Sequence, residues 1–425
     1  MAATRRGVLA GGLLAPGAAL AAGSDRVKID SVKADLEHYV GLGSKVSGGP
    51  GDTAVGAWME RRLQALGFAT TRQAIRTPFF ELARANLIVG ETVTLVLPLA
   101  IVTPTPPDGV SGPLVIVEPW SKPADLTGAI ALIPLPYARW SSAKAEAVRR
   151  PVAAAIAAGA AAVILITTGP TGEAVALNAD GDKPMFDRPV AILGPRDAAP
   201  FLAAAGASAR LTVSGTGGFR PAFNLMGRLD RGHGRWLVVS TPRSGWTACA
   251  GERGPGVAAW MGLADWASRA DLPVDLAFVC NSGHEYENLG AARMLEEIAP
   301  RPAETAFWLH LGANVAARDW HELGGRLAPL PSPDPQRILM ATPDLLDACR
   351  AAFAGQPGLE APYAAGAGSA GELTHVLASG YPKVAGVFGV HRFHHVLGDD
   401  MRCVDPEATA AALEGFKNLI RVALA

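Results

Sequence analysis

The chain has 425 residues, 49% of them hydrophobic and 18% charged, with a formal net charge of −1. That composition belongs to a globular protein with room for more than one core, and a charge this balanced argues against nucleic acid or an anionic membrane as the main partner. Four cysteines in such a length do not make a disulfide framework.

Residues 1–23 read as an address. Thr4-Arg5-Arg6-Gly7-Val8-Leu9 is a twin-arginine start, and Ala19-Leu20-Ala21 offers small residues for cleavage. The apolar stretch between, Gly7 to Leu20, is broken by Gly and Pro and falls short of the ~20 residues that span a bilayer. The expectation is export to the periplasm or beyond, with no membrane anchor after cleavage.

From Ser31 to Gly67 the apolar spacing is helical: Val32, Leu36, Tyr39 and Val40, then Val55, Trp58, Met59, Leu63 and Leu66, with the loop Gly48-Gly49-Pro50-Gly51 between. Phe68 to Ile75 and Ala85 to Val89 read as strands. Near Val96 the texture changes. Pro-rich turns separate the short runs Pro113 to Val117 and Ala129 to Pro134. An Ala-rich helix, Ala143 to Ala158, then leads through Gly159 to the strand Ala162 to Thr167, a βαβ unit. Pro189 to Leu193, the helix Arg196 to Ala205 and the strand Ala209 to Ser214 complete a module nearly free of catalytic residue types.

Gly215-Thr216-Gly217-Gly218 reads as a linker. Beyond it, strands at Leu225 to Leu229, Trp236 to Ser240, Val274 to Cys280, Ala306 to Leu311 and Ala385 to Val390 alternate with helices. Those helices are Val257 to Arg269, Leu289 to Ile298, Thr342 to Ala354, Glu372 to Ser379 and Pro406 to Ala423. Alternation of this kind implies a mostly parallel sheet covered on both faces. In such sheets ligands bind beyond the carboxyl ends of the strands. Three stretches have that layout, an apolar strand and then a polar turn: Val238 to Trp246 with Cys249 to Val257, Leu276 to Gly290, and Val387 to Asp405. Cys249 and Cys280 fall near the ends of two strand–turn units and could pair, although a lone buried cysteine is more commonly just a small hydrophobe.

The order of parts resembles the M28 aminopeptidase-like family of zinc peptidases carrying an inserted protease-associated (PA) domain. The resemblance rests on the paired helices around Gly48-Gly49-Pro50-Gly51 and on Ala158-Gly159-Ala160-Ala161-Ala162-Val163-Ile164 in the insert. It continues with Phe223-Asn224-Leu225-Met226-Gly227, then His394-His395, Asp399 and Val404-Asp405 before the last helix. It implies an α/β fold with a mixed, mainly parallel sheet sandwiched by helices. The M28-like domain would comprise residues 24–95 and 216–425, and the β-rich PA-like insert residues 96–215.

The resemblance also implies metal chemistry. Members of the family hold two zinc ions on five positions and use a Glu as base. Their His-x-Asp falls here on Pro242-Arg243-Ser244, where proline offers no ligand, and their Asp-Asn falls on Glu252-Arg253. Their Glu-Glu falls on His284-Glu285, which keeps the ligand carboxylate and replaces the base by His284. The next acid falls on His310 or Gly312, and the last ligand on His395, followed by Asp399. Glu252, Glu285 and His395 are therefore the implied ligands of a single zinc ion, and three ligands with one open position remain competent. His284 would move the proton beside Glu285, and Asp399 or a backbone carbonyl would orient His395. Arg243 or Arg253 would hold an oxyanion or a substrate carboxylate, with Glu372 and His375 lining the substrate pocket.

Plainer readings stand beside these. Glu252-Arg253 suits an ion pair holding a turn, and His284-Glu285 suits a helix N-terminus. Three imidazoles in five residues, His391, His394 and His395, favour function. No Gly-x-Ser-x-Gly surrounds Ser244, which sets a serine hydrolase aside. The function expected is an exported zinc-dependent hydrolase acting on a peptide or related amide. A non-catalytic relative and a single-zinc, glutaminyl-cyclase-like acyltransferase remain alternatives, and the oligomeric state is open.

Overall fold

A computed structural model describes residues 26–181, 183–324, 326–366 and 368–425. The expected signal at residues 1–23 lies outside the described residues. Helices α1 (Ile29–Gly41) and α2 (Pro50–Ala65) form where the helical apolar spacing predicts them, with Leu36, Tyr39, Val55, Met59 and Leu63 fully buried. Next come β1 (Ala69–Val89) and the short β2 (Thr92–Leu95) and β3 (Leu97–Pro98). The segment expected as an insert, called the insert below, follows as β4 (Val110–Ile116), β5 (Ile130–Pro134), α3 (Glu146–Ala157), β6 (Ala162–Ile166), β7 (Val190–Leu193) and α4 (Pro195–Ala203). Strand β8 (Ser208–Leu229) leads back to the main body.

There the alternation is β9 (Trp236–Pro242), α5 (Ala250–Arg269), β10 (Asp275–Asn281), α6 (Leu289–Glu297) and β11 (Thr305–Leu311). A hairpin of β12 (Arg318–Leu323) and β13 (Arg326–Pro333) precedes β14 (Arg337–Ala341), α7 (Leu346–Ala352) and β15 (Tyr363–Ala364). The chain closes with α8 (Glu372–Ala378), β16 (Val384–Gly389) and α9 (Pro406–Leu424).

One sheet of 14 strands runs β15-β14-β16-β11-β9-β10-β8-β4-β5-β6-β7-β3, with β1 on β8 and β2 on β1. Strands β16, β11, β9 and β10 are parallel neighbours in the main body, and β4 to β7 are parallel in the insert. Among the described residues no helix is long and apolar enough to cross a membrane.

The join between the two halves differs from expectation. The strands expected at 68–75 and 85–89 are one, and residues 215–218 are the middle of β8 and no linker. Phe79 and Phe80 lie opposite Gly218 and Gly217, so two long antiparallel arms satisfy each other's backbone along most of the junction, with one break in register between Leu82 and Arg84. The glycines have a packing reason, since a Cβ at Gly215 would come within 2.9 Å of the Phe80 ring. Helix α5 also begins seven residues before Val257, at Ala250, so Glu252 and Arg253 lie in its first turns and not in a loop.

One face of the main sheet is packed by α5, α9 and α1 around Trp260, Phe278 and Phe416. The other face carries α6 and α8 over Val238, Val279 and Trp308. The insert has two apolar layers of its own, one on each side of β5 and β6. The parallel strands therefore end together at one edge, where all three polar turns meet.

Candidate functional site

Helix α5 starts early because its first amides are satisfied from a distance. Asp399 accepts from Gly251 N at 2.7 Å and Glu252 N at 3.2 Å, the work of an N-cap done by a residue 148 positions away. Gly251 is required there, since a Cβ would stand 2.8 Å from His391 Cε1. Glu252 is thereby held at the helix N-terminus, where a carboxylate is favoured, and it is fully buried.

Three groups converge on Glu252. Its Oε1 is 2.8 Å from Arg253 Nη2 and 3.3 Å from His395 Nε2. His395 adopts a left-handed backbone (φ 60), a conformation that strains a non-glycine residue and turns the ring back toward α5. Its Nδ1 lies 2.9 Å from the carbonyl oxygen of Ala176, which can only accept, so Nδ1 carries a proton. Nε2 is then left facing the carboxylate. His394 stacks on His395 at 3.8 Å with 18° between the planes, and its Nε2 is 3.2 Å from Ser141 Oγ. One donor atom each from Glu252, His394 and His395 lie within 4.8 Å of one another.

Several buried atoms here have no hydrogen-bond partner: both oxygens of Glu252, both terminal nitrogens of Arg253, and His394 Nδ1. Charge proximity without directed hydrogen bonds is costly inside a protein. Burial opposes ionisation of Glu252, yet the charges of Arg253 and His395 prevail and hold it well below the usual carboxylate range. Burial, helped by the charge of His395, pushes His394 well below an ordinary imidazole, so it is neutral.

The donor set suits zinc, which takes imidazole and carboxylate ligands. Two ligands about 2.0–2.1 Å from one tetrahedral ion sit ~3.4 Å apart, and the 3.3 Å between Glu252 Oε1 and His395 Nε2 matches. Ala176 supplies the second-sphere carbonyl that fixes the tautomer. An imidazole ligates in its own plane, so two rings stacked 3.8 Å apart cannot both bind one ion; His394 joins only by turning out of the stack.

The other expected site residues lie elsewhere. Glu285 is outside the metal-capable group: its carboxylate accepts from Ser47 N at 3.0 Å, Ser47 Oγ at 2.6 Å and Ser244 Oγ at 2.7 Å. Burial nonetheless raises its pKa. Arg243 is no substrate anchor. It is fully buried, with Nε 2.9 Å from Asp52 Oδ1 and the other nitrogens donating to Cys280 O and Phe223 O. Arg253 Nε donates to Ser244 O at 3.1 Å, so this guanidinium too faces protein and not an open pocket. Asp399 does not orient His395; it caps α5 and lies 3.4 Å from His391 Nε2.

His284 Nδ1 stands 3.7 Å from Glu372 Oε1, and Asn281 Nδ2 donates to Glu372 Oε2 at 2.9 Å. Burial and the nearby charge of Arg253 lower the His284 pKa and keep it neutral. Burial opposes the Glu372 charge, but His284, His310 and Asn281 hold the carboxyl below its ordinary value. Glu372 is thus a partner of His284, and His375, one turn further along α8, is half-buried and outside both clusters. Cys249 and Cys280 are free and buried, the latter with Sγ 3.3 Å from Met59 Sδ.

Sequence reasoning marked the cluster of histidines but did not single out His394, nor any part of the insert. Yet the insert closes the site. Besides Ala176 and Ser141, Asn178 Oδ1 accepts from Trp246 Nε1 at 2.9 Å, and Ser142 Oγ donates to Glu287 at 2.8 Å. Arg139 donates to Asp334 at 2.8 and 2.9 Å. His284 and His394, 9% and 6% exposed, are the members of the two clusters with any appreciable surface.

Solved structures share this architecture along almost the whole chain. A zinc aminopeptidase from Bacillus subtilis, BSAP, is similar with a TM-score of 0.73 at 15% identity, over 93% of this chain and 95% of that one. The fold is that of the M28 zinc aminopeptidases. A peptidase M28 precursor from Shewanella amazonensis SB2B gives 0.71 at 16% identity, covering 93% of this chain and 92% of its own. An aminopeptidase from Aneurinibacillus sp. strain AM-1 gives 0.64 at 17%, covering 94% of both chains. No family model matches the sequence, and no curated protein does. At these identities the likeness speaks for the fold, and the chemistry rests on the residues.

Proposed function

We propose that this chain is a metal-dependent hydrolase acting on a peptide or a related amide, with one zinc ion held by Glu252 and His395 and completed by His394. The observation that carries the reading is the unsatisfied, buried Glu252 carboxylate facing an imidazole nitrogen at ligand spacing. A bound zinc ion would polarise the scissile carbonyl and acidify a water. His284, neutral and part of the second cluster, accepts and returns the proton, with Glu372 Oε1 3.7 Å from its Nδ1. The insert excludes bulk water by covering His394 and His395 from above. Export by the twin-arginine route belongs to the same reading.

The test is metal analysis of the purified mature protein, paired with hydrolysis of aminoacyl amides before and after adding zinc. Roughly one zinc per chain, lost in Glu252→Ala and His395→Ala, is expected, together with amide cleavage. Arg253 favours a second reading, a non-catalytic relative in which the guanidinium supplies the positive charge that Glu252 requires. Protein that takes up no zinc and cleaves no amide would establish that alternative and remove the first.

A further inference from the structure

A cavity of about 650 Å³ lies where the β1–β8 arms, the insert and the main body meet. Its walls are mostly apolar: Phe79, Leu82, Leu99, Ile101, Trp246 and Tyr286 all line it. Arg220 lines it too, and is anchored there. Its Nε donates to Ser47 O at 2.7 Å, and its guanidinium lies over the Phe79 ring at 5.6 Å from the centroid. Yet Nη2, itself buried, has no hydrogen-bond partner, Nε alone being bonded, and no carboxylate of the described residues forms an ion pair with this side chain. Glu81, on the cavity rim, is exposed and does not reach it.

The lining bears a second mark. Ile101 adopts φ 51, a left-handed backbone that a β-branched residue takes only at a cost of about 1–3 kcal/mol. Such strain persists where the surroundings impose it, and ligand clamps are one such place. The floor adjoins the site described above, since Trp246 hydrogen-bonds Asn178 and packs edge-on against Tyr286 at 5.8 Å.

We propose that this cavity binds a small molecule with an apolar body and a terminal carboxylate, the carboxylate being read by the Arg220 guanidinium. Arginine prefers that partner because its planar fork matches the two carboxylate oxygens. With Nε already fixed by Ser47, little side-chain entropy remains to be lost on binding. An aromatic or aliphatic body fills the remaining apolar space, which Phe79 and Trp246 line. The site involves no metal and goes beyond the hydrolase reading.

Calorimetric titration of the chelator-treated mature protein tests it with two acids, N-acetylphenylalanine and octanoate, each against its amide. The expected result is saturable binding of at least one acid, about tenfold or more tighter than its amide, with that preference gone in Arg220→Met. The acid that binds identifies the source, peptide-like or fatty-acid-like. Equal affinity for acid and amide in the unaltered protein, or no binding of either acid at millimolar concentration, overturns the proposal without reference to any variant. An acid preference that survives Arg220→Met overturns the role given to that residue. Because zinc is absent throughout, failure here leaves the hydrolase reading standing, and failure of that reading leaves this one.

Discussion

Arg253→Met isolates the central electrostatic conflict of the site. The guanidinium is essentially unexposed and lies 2.8 Å from Glu252 Oε1, while His395 Nε2 reaches the same oxygen at 3.3 Å. Removing the arginine strands a buried carboxylate, and losing one partner of such a pair costs about 3–5 kcal/mol. In chelator, urea unfolding of Arg253→Met is therefore expected to show that loss. Zinc should then recover much of it, since a ligand at 100 times its Kd adds about 2.7 kcal/mol, and the variant should bind zinc more tightly than the unaltered protein. The double variant Glu252→Gln/Arg253→Met, with both charges gone, should lose less than the sum of the single changes. An Arg253→Met protein as stable as its parent in chelator, or one that zinc does not stabilise, would refute the reasoning.

Other outcomes follow from the same buried groups. Burial holds the His310 imidazole down to about 4 from 6.5, its Nδ1 2.9 Å from Ser240 Oγ. Between those values the unfolded chain binds more protons than the folded one, so stability should rise with pH across that window by about 3 kcal/mol. In His310→Gln the slope should be shallower in pH-dependent melts, and an unchanged slope would contradict the assignment. Glu285→Gln should leave zinc content intact, whereas His394→Ala should weaken zinc binding; the reverse result in metal analysis would restore Glu285 as the ligand. Because the raised Glu285 pKa favours the folded state only at low pH, Glu285→Gln should also remove a loss of stability as pH rises through that pKa. Asp52→Asn should lower the urea midpoint by the equivalent of about 3–5 kcal/mol, because Arg243 is then buried without its counter-charge.

Much of the site was legible as position and little of it as direction. The family resemblance put Glu252, Glu285 and His395 in the turns that follow three strands; in the structure those strands are β9, β10 and β16, and Glu252 sits in the first turn of α5. Glu285 turns away because Ser47, 238 residues distant in sequence, meets it with both an amide and a hydroxyl. No local pattern announces such a pairing. Arg243 looked available because it follows a strand end, and it is spent because Asp52, on α2, packs against it. The residue pattern predicts α5 only from Val257, since Gly251, Gly254 and Pro255 are poor helix formers; Asp399 and close packing override that propensity.

What the sequence by itself determined is the architecture: apolar runs alternating with amphipathic helical spacing leave a covered, mainly parallel sheet as the arrangement that buries them, and strand ends then collect the polar turns at one edge. Tertiary structure alone decided the chemistry of that edge. Which carboxylate meets an imidazole, and which is absorbed by serine hydroxyls, depends on rotamers set by residues hundreds of positions apart. The covering of the cluster by Ser141 and Ala176 of the insert depends on the β1–β8 arms, whose long antiparallel pairing joins the two halves.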